Sequence, residues 1–234
     1  MKLNLTAQGE IKKALGKKAA TLVEDGMLVG LGTGSTAVCF IDSLIERCKQ
    51  GLHIVAVSSS LRSLERAEAG GIPVREMDDV ITVDFTADGA DEIDPLNRMI
   101  KGGGGAHVRE KILASSSKRV AIMVDESKLV DKLGAFGLPV EILPFGCQAT
   151  ISKINGKGYF GALRTVNDGS LYITDNGNYI YDIKKPSHYN QPEEDHLAIL
   201  TIPGVVDTGF FFNLAIEVLI GYADGKITAR SEPR

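Results

Sequence analysis

Two stretches of this chain concentrate side chains that can handle protons and anions. Asp88-Gly89-Ala90-Asp91-Glu92 arranges acids around a small turn, while Lys101-Gly102-Gly103-Gly104-Gly105-Ala106-His107-Val108-Arg109-Glu110-Lys111 sets a lysine before four glycines and a glutamate after them. Glycine loses more backbone entropy on folding than any other residue, so four in a row are kept where backbone must approach something closely. Their successive N–H groups can form a concavity for an oxyanion, and the Lys101 ammonium can stabilise the same charge. Glu110 lies about one helical turn beyond the loop, and a carboxylate near an apolar crevice has its pKa raised towards the range of a general base. Asp88 and Asp91 can both point into such a crevice, one orienting hydroxyls and the other handling a proton. Taken singly, each has a plainer reading: an aspartate in a turn caps local N–H groups, and a helix glutamate is usually a solvated charge. Together they fit proton abstraction with a transient oxyanion.

A third segment, Gly30-Leu31-Gly32-Thr33-Gly34-Ser35-Thr36-Ala37, joins a short apolar run to a helical repeat. Free backbone N–H groups and the helix dipole at such a junction favour an anion, and Ser35 and Thr36 add hydroxyl donors. Read from Gly32 the run fits GxGxxA, but a dinucleotide site needs an acid about 20 residues later, at the next strand end. That strand ends instead in Ser58-Ser59-Ser60. No GK[ST] follows, so a single phosphate is the better fit. Lys12 and Lys128 are weaker candidates, since either reads equally well as a surface lysine. Histidines 53, 107, 188 and 196 lack the i, i+4 spacing of a helical metal site, and no metal is expected. The chain has no GxSxG elbow.

These loops need elements to hold them. Ala7, Ile11, Ala14, Leu15, Leu22 and Val23 recur at helical spacing, with Thr6 placed to cap the start and Gly26 just past the end. Strands are expected over Met27–Leu31, His53–Val57, Val80–Phe85 and Arg119–Val124, with helices after Ala37, over Leu61–Ala69 and from Val108. Strand and helix alternate, which implies a mostly parallel sheet with helices on both faces, and its ligand crevice lies beyond the carboxyl ends of the strands. The alternation weakens after Leu133. Short strands over Pro139–Leu143, Gly161–Thr165, Leu171–Thr174 and Tyr179–Ile183, a hairpin turn at Asp175-Asn176-Gly177-Asn178, and helices near Ala149–Ile154 and Pro192–Leu200 read as a small α+β domain. From Val205 the chain is extended again, and the strand Ala215–Gly221 is expected to rejoin the first sheet. The fold class is therefore α/β: a Rossmann-like sheet domain over 1–132 and 206–234, and a smaller α+β, ferredoxin-like domain over 133–205.

Composition narrows the partners. The chain has 234 residues, 44% of them apolar, enough for a substantial core. Its 26 basic and 30 acidic residues leave a net charge of −4 with no basic block and no tryptophan, so a nucleic-acid surface is not expected. Cys39, Cys48 and Cys147 form no CxxC pair and read as reduced thiols of a cytosolic protein. No apolar run approaches the ~18 residues of a membrane span, and the start lacks a signal-peptide pattern. A soluble, cytoplasmic protein with a small-molecule partner is expected.

The ordered motifs identify a resemblance to the ribose-5-phosphate isomerase A family. It rests on Gly32-Thr33-Gly34-Ser35-Thr36, Asp88-Gly89-Ala90-Asp91-Glu92, Lys101 to Ala106 with Arg109-Glu110-Lys111, Asp125-Glu126-Ser127-Lys128, Thr174 to Asn178, and Pro203-Gly204-Val205-Val206. The resemblance implies interconversion of D-ribose 5-phosphate and D-ribulose 5-phosphate in the pentose phosphate pathway, without cofactor, by a homodimer or larger homo-oligomer. Glu110 matches the family's general base, and Asp88, Asp91 and Lys101 its other active-site side chains. Thr33, Gly34, Ser35, Thr36, Gly89, Ala90, Gly102, Gly103, Gly104 and Lys128 match substrate-binding positions. His107 departs from the aliphatic residue often found there and adds a titratable group beside the site. Two other readings share this kind of fold: a phosphosugar sensor, which would normally carry a DNA-binding segment, and a deaminase or lactonase acting on another phosphosugar.

Overall fold

Short apolar runs that stop at glycine, serine or aspartate alternate with amphipathic segments along the first half of the chain, and most become the element their period predicts. The computed structural model describes residues 5–184, 188–215 and 217–231, with the side chains of residues 5 and 6 outside that description. The elements run α1 (Leu5–Ala20), β1 (Leu28–Leu31), α2 (Ser35–Lys49), β2 (Val55–Ser58), α3 (Leu61–Ala69), β3 (Phe85–Gly89), β4 (Glu92–Ile93), β5 (Met99–Ile100), α4 (His107–Ser115) and β6 (Val120–Asp125). They continue with β7 (Leu138–Ile142), α5 (Cys147–Gly156), β8 (Gly161–Leu163), β9 (Tyr179–Ile183), α6 (Pro192–Leu200), β10 (Val205–Thr208), β11 (Phe210–Phe211), β12 (Glu217–Gly221) and β13 (Ile227–Ser231). Two compact units result: one of residues 1–90, 109–129 and 213–234, the other of 91–108 and 130–212.

The first unit is built on a six-stranded sheet in the order β13-β12-β6-β3-β1-β2. All neighbours run parallel except β13, which is antiparallel to β12. Successive side chains of a strand point to opposite faces. Val29, Leu31, Ala56 and Phe85 accordingly enter one cluster with Leu15, Phe40, Ile41 and Leu44 of α1 and α2. Leu28 and Val57, one residue out of phase with Val29 and Ala56, meet Leu113 of α4 in a separate cluster. Helices therefore cover both faces, as the alternation predicts. Each fully buried leucine, isoleucine or phenylalanine here stabilises the fold by about 1.5–3 kcal/mol. Ser60 caps α3 by accepting from the Ser63 N–H, and the helix ends at Gly70.

The second unit holds an antiparallel sheet in the order β10-β7-β9-β8 and a three-stranded ribbon β11-β5-β4. Leu138, Val140 and Ile142 of β7 face a core with Ile154 of α5, Ile199 of α6, Tyr181, Tyr189 and Phe210. Glu141, on the other face of β7, is fully buried. Its Oε1 accepts from Thr174 Oγ1 at 3.1 Å, Asn176 Nδ2 at 2.9 Å and Asn178 Nδ2 at 2.8 Å, which ties down the predicted hairpin turn. Helix α6 begins with Pro192 and carries Glu193, Glu194 and Asp195 in its first turn, where fixed φ and negative charge both suit a helix start.

Several expectations shift. Thr6 falls inside α1 rather than ahead of it, and a cap there lies outside the described side chains. The helix stops at Ala20, short of Leu22 and Val23. The strand expected over Val80–Phe85 is displaced to Phe85–Gly89, which brings Asp88 onto the strand itself. Leu171–Thr174 contributes isolated bridges only. The extended run from Val205 pairs antiparallel with β7, so residues 206–212 fold with the second unit, as do 91–108. The later strand, β12, does join the first sheet beside β6, although Ile216 of its predicted range lies outside the described residues.

Candidate active site

The first unit carries the anion loop. β1 ends at Leu31, and Gly32-Thr33-Gly34 turns the chain into α2, with Gly34 at φ 100. Beneath the turn lies Asp88, 4% exposed on β3. Its Oδ1 accepts from the Thr33 N–H at 3.0 Å and from the Gly89 N–H at 2.7 Å. A Cβ at position 32 would stand 2.1 Å from the Asp88 Cγ, so only glycine lets the strand pass so close to the carboxylate. Thr33 Oγ1 meets Ser59 Oγ at 2.8 Å, and Ser63 Oγ donates to the Gly32 carbonyl at 2.8 Å. The serine run after β2, which argued against a dinucleotide site, thus braces the loop. Gly89 lies across from Thr36, whose Cβ is 3.7 Å from the position a Gly89 Cβ would take, and Ala90 follows at the end of β3.

Ser35, the exposed first residue of α2, has a neighbour that sequence left as a weak candidate. Lys12 of α1 donates from Nζ to Ser35 Oγ at 3.0 Å. A helix N-terminus, two hydroxyls and an ammonium are thereby gathered in one place, and each favours an anion. Lys128 ends a short turn after β6 that Asp125 caps by accepting from the Ser127 N–H. Glu110 sits in the first turn of α4 and is 4% exposed, so it is not the solvated helix charge that glutamates usually are.

The second unit carries the lysine and the glycines. Lys101, 4% exposed, follows β5, and its N–H donates to the Gly209 carbonyl at 2.9 Å. Its Nζ lies 5.4 Å from the centre of the Phe211 ring, a cation–π contact that holds the side chain across the ribbon. Gly102 adopts φ +107, and the Gly105 N–H returns to the Gly102 carbonyl at 3.0 Å to close the turn. Gly103 and Gly104 stand exposed at its tip. Asp91 accepts the Gly103 N–H on Oδ2 at 2.7 Å, so this carboxylate and the glycine loop form one assembly.

Two members of the motifs turn inward. Glu92 is 3% exposed and accepts the N–H groups of Gly134 at 2.6 Å and Phe136 at 2.5 Å, so it anchors backbone. His107 is fully buried at the start of α4, with Nε2 3.4 Å from the Asp207 carbonyl. It packs under Gly102, where an added Cβ would meet its Nδ1 at 2.9 Å. Chemically, the first unit offers an anion loop with a lysine and a buried carboxylate, and the second a buried lysine beside backbone donors ordered by a carboxylate.

Comparison with known proteins gives a consistent result. Residues 55–225 match the family model described as ribose 5-phosphate isomerase A (phosphoriboisomerase A). Ribose-5-phosphate isomerase A of Protochlamydia amoebophila is 50% identical over 214 residues, 92% of this chain and 92% of that protein. The Chlamydia trachomatis serovar D protein of the same name is 52% identical over 223 residues, 95% of this chain and 92% of the other. Among solved structures, ribose 5-phosphate isomerase from Plasmodium falciparum superposes with a TM-score of 0.92 at 36% identity, covering 97% of this chain and 100% of that one. A D-ribose-5-phosphate isomerase in complex with phospho-erythronic acid gives 0.90 at 37% identity, with 98% and 100% covered.

Proposed function

The chain belongs to the ribose-5-phosphate isomerase A family and interconverts D-ribose 5-phosphate and D-ribulose 5-phosphate, and we propose that it does so through an enediolate with Glu110 as the proton carrier. The activity is that of an aldose–ketose isomerase, an intramolecular oxidoreductase. No external oxidant is consumed, because the oxidation at C2 is balanced by the reduction at C1.

In this reading the open-chain aldose loses its C2 proton to the Glu110 carboxylate, and negative charge develops on the C1 oxygen. Lys101 and those glycine-loop N–H groups not already donated to Asp91 or within the turn hold that charge where it appears, which lowers the barrier more than binding the ground state would. Glu110 then returns the proton to C1, the C2 hydroxyl gives up its proton, and the C1 oxygen gains one. Asp88 assists ring opening, and Asp91 holds hydroxyls. The loop Thr33–Thr36, with Gly89, Ala90, Lys12 and Lys128, takes the phosphate and distal hydroxyls, and that remote binding fixes the reacting carbons. Phospho-erythronic acid carries a phosphate and a carboxylate, the latter a fair likeness of the two-oxygen enediolate. A relative forms a complex with it, which supports a site that takes a phosphate at one end and a two-oxygen anion at the other.

The observation that carries the assignment is a carboxylate only 4% exposed, one turn into the helix that follows the glycine loop. The test is Glu110→Gln, which leaves the shape intact and removes the base. It should lower kcat by roughly 10² to 10⁴ and abolish exchange of the substrate C2 hydrogen with deuterated water, while substrate still binds. Near-normal turnover with continued exchange would end the proposal.

A homodimer or larger homo-oligomer, working in the cytoplasm on the non-oxidative pentose phosphate pathway, completes the proposal. Phe145, 94% exposed, and Phe160, 62% exposed, are large apolar surfaces that a subunit contact would cover. Among the described residues no helix is long and apolar enough to cross a membrane. Sedimentation at working concentrations should give at least twice the mass of one chain, and a strictly monomeric active species would remove the oligomer from the reading.

A further inference from the structure

Arg164 follows β8 and lies far along the chain from the residues considered so far, yet it reaches the glycine loop. Its Nη1 donates to the Gly102 carbonyl at 2.8 Å and to the Gly103 carbonyl at 3.2 Å. The other edge of the guanidinium meets Asp182 of β9 in a two-point pair, Nε to Oδ2 at 2.8 Å and Nη2 to Oδ1 at 2.6 Å. The Arg164 side chain is 15% exposed, and its N–H is tied to the Ile180 carbonyl at 2.8 Å. Tyr172 stacks near the guanidinium, with Cζ 5.8 Å from the ring centre, and donates its hydroxyl to the Gly104 carbonyl at 3.3 Å. Three successive carbonyls of the glycine loop are therefore held by Arg164 and Tyr172.

We propose that Arg164, oriented by Asp182, is a positioning residue for the isomerase reaction that aims and polarises the backbone donors of the glycine loop. This rests on the assignment of that loop to the developing oxyanion. A peptide unit is planar and trans, so fixing a carbonyl fixes the N–H of the next residue on the opposite side. Holding the Gly102 carbonyl sets the Gly103 N–H, which points to Asp91 Oδ2 at 2.7 Å. Holding the Gly103 carbonyl sets the Gly104 N–H. The Gly102–Gly103 peptide lies between a cation on its oxygen and a carboxylate on its nitrogen, an arrangement that polarises the whole chain of hydrogen bonds. Only a planar fork can grip a carboxylate with one edge and two carbonyls with the other. A lysine would bring the charge without the geometry.

The test compares Arg164→Met, Arg164→Lys and Asp182→Asn with the parent enzyme. Arg164→Met should lose roughly 10- to 100-fold in kcat, the scale of an ångström-level misplacement, with KM changed less than about threefold. Hydrogen exchange should quicken at residues 103–105 while β9 stays protected. Arg164→Lys should recover only a minor part of kcat, and Asp182→Asn, which preserves the shape of the pair, should lie between the parent and Arg164→Met. Added methylguanidinium should partly restore kcat in an Arg164→Ala variant. Unchanged kcat with unchanged exchange at the loop would overturn the proposal, as would equal losses in kcat and β9 protection, which mark a general role in folding. Lys101→Ala run in parallel separates the two readings: if it is impaired while Arg164→Met is not, only the positioning role fails. If Lys101→Ala turns over normally, the oxyanion assignment itself is wrong.

Discussion

Asp88 Oδ1 accepts the backbone N–H of Thr33 at 3.0 Å, across two neighbouring parallel strands, so a carboxylate assigned to the sugar also sets the shape of the anion loop. Removing it has two separable effects. Asp88→Ala leaves the part-buried Thr33 N–H without its carboxylate acceptor, at a cost of about 1 kcal/mol in stability. Asp88→Asn retains an acceptor oxygen, and so should keep the melting temperature near that of the parent while lowering kcat. If both variants lose stability alike and keep kcat, Asp88 is a brace only.

Lys12 offers a contrast, because its contact is with the loop rather than beneath it. The Nζ to Ser35 Oγ distance of 3.0 Å puts a positive charge at the start of α2, where the phosphate is assigned. Lys12 is partly exposed, so its contribution is discounted for screening to about 1–2 kcal/mol of phosphate binding. Lys12→Ala should raise KM roughly five- to thirtyfold with kcat changed far less, and the difference should shrink as salt is added. Steady-state kinetics at two ionic strengths measures both, and a kcat effect without a KM effect would reassign the lysine.

Much of this was legible in the residue order. Strands β1, β2 and β6 and helices α2 and α3 follow from their periods and from the glycines and serines that stop them. Helix α6 is bounded by Pro192 with its acidic first turn. The ribbon β4-β5-β11 was not legible, because a strand of two residues has no period to read. Glu92 and Glu110 are equally acidic in sequence, yet one anchors the N–H groups of Gly134 and Phe136 while the other is buried in a helix turn after the glycines. Arg164 escaped for a related reason: its meaning lies in carbonyls about sixty residues away, and no local pattern marks a residue whose partners are backbone.

Stability should respond to acid through Asp84. The Lys118 ammonium, 2.7 Å from Oδ1, and then the Leu28 N–H, 2.9 Å from Oδ2, hold this carboxyl below its ordinary 3.8. A group whose folded pKa is depressed contributes stability that is full above the unfolded value and is lost as pH falls through the folded value. The Asp84 contribution is therefore present at neutral pH and disappears below 3.8. The pair is largely solvent-facing, so the effect is modest and screened by salt. Asp84→Asn should be less stable than the parent at neutral pH, with the gap closing in acid. Urea unfolding across that range measures it, and a gap that widens in acid would contradict the sign.

Backbone freedom at the glycines gives the sharpest contrast between positions that tolerate a methyl group and positions that do not. Gly102 combines φ +107 with a crowded surround: an added Cβ would meet His107 Nδ1 at 2.9 Å and Pro139 Cγ at 3.1 Å. Gly102→Ala should cost about 1–3 kcal/mol in strain, and because the same turn aims the donors beyond it, kcat should fall along with stability. Gly9 lies inside α1, and beyond the helix's own backbone no described atom comes within 4 Å of the Cβ position. There the extra methyl restricts the unfolded chain and suits a helix, so Gly9→Ala should stabilise by about 0.4–1 kcal/mol and leave kinetics untouched. Thermal unfolding and turnover of the two variants side by side supply the check. A Gly102→Ala enzyme with parental kcat would mean that the loop reaches its working geometry without the left-handed residue, and the oxyanion role of the turn would have to be withdrawn.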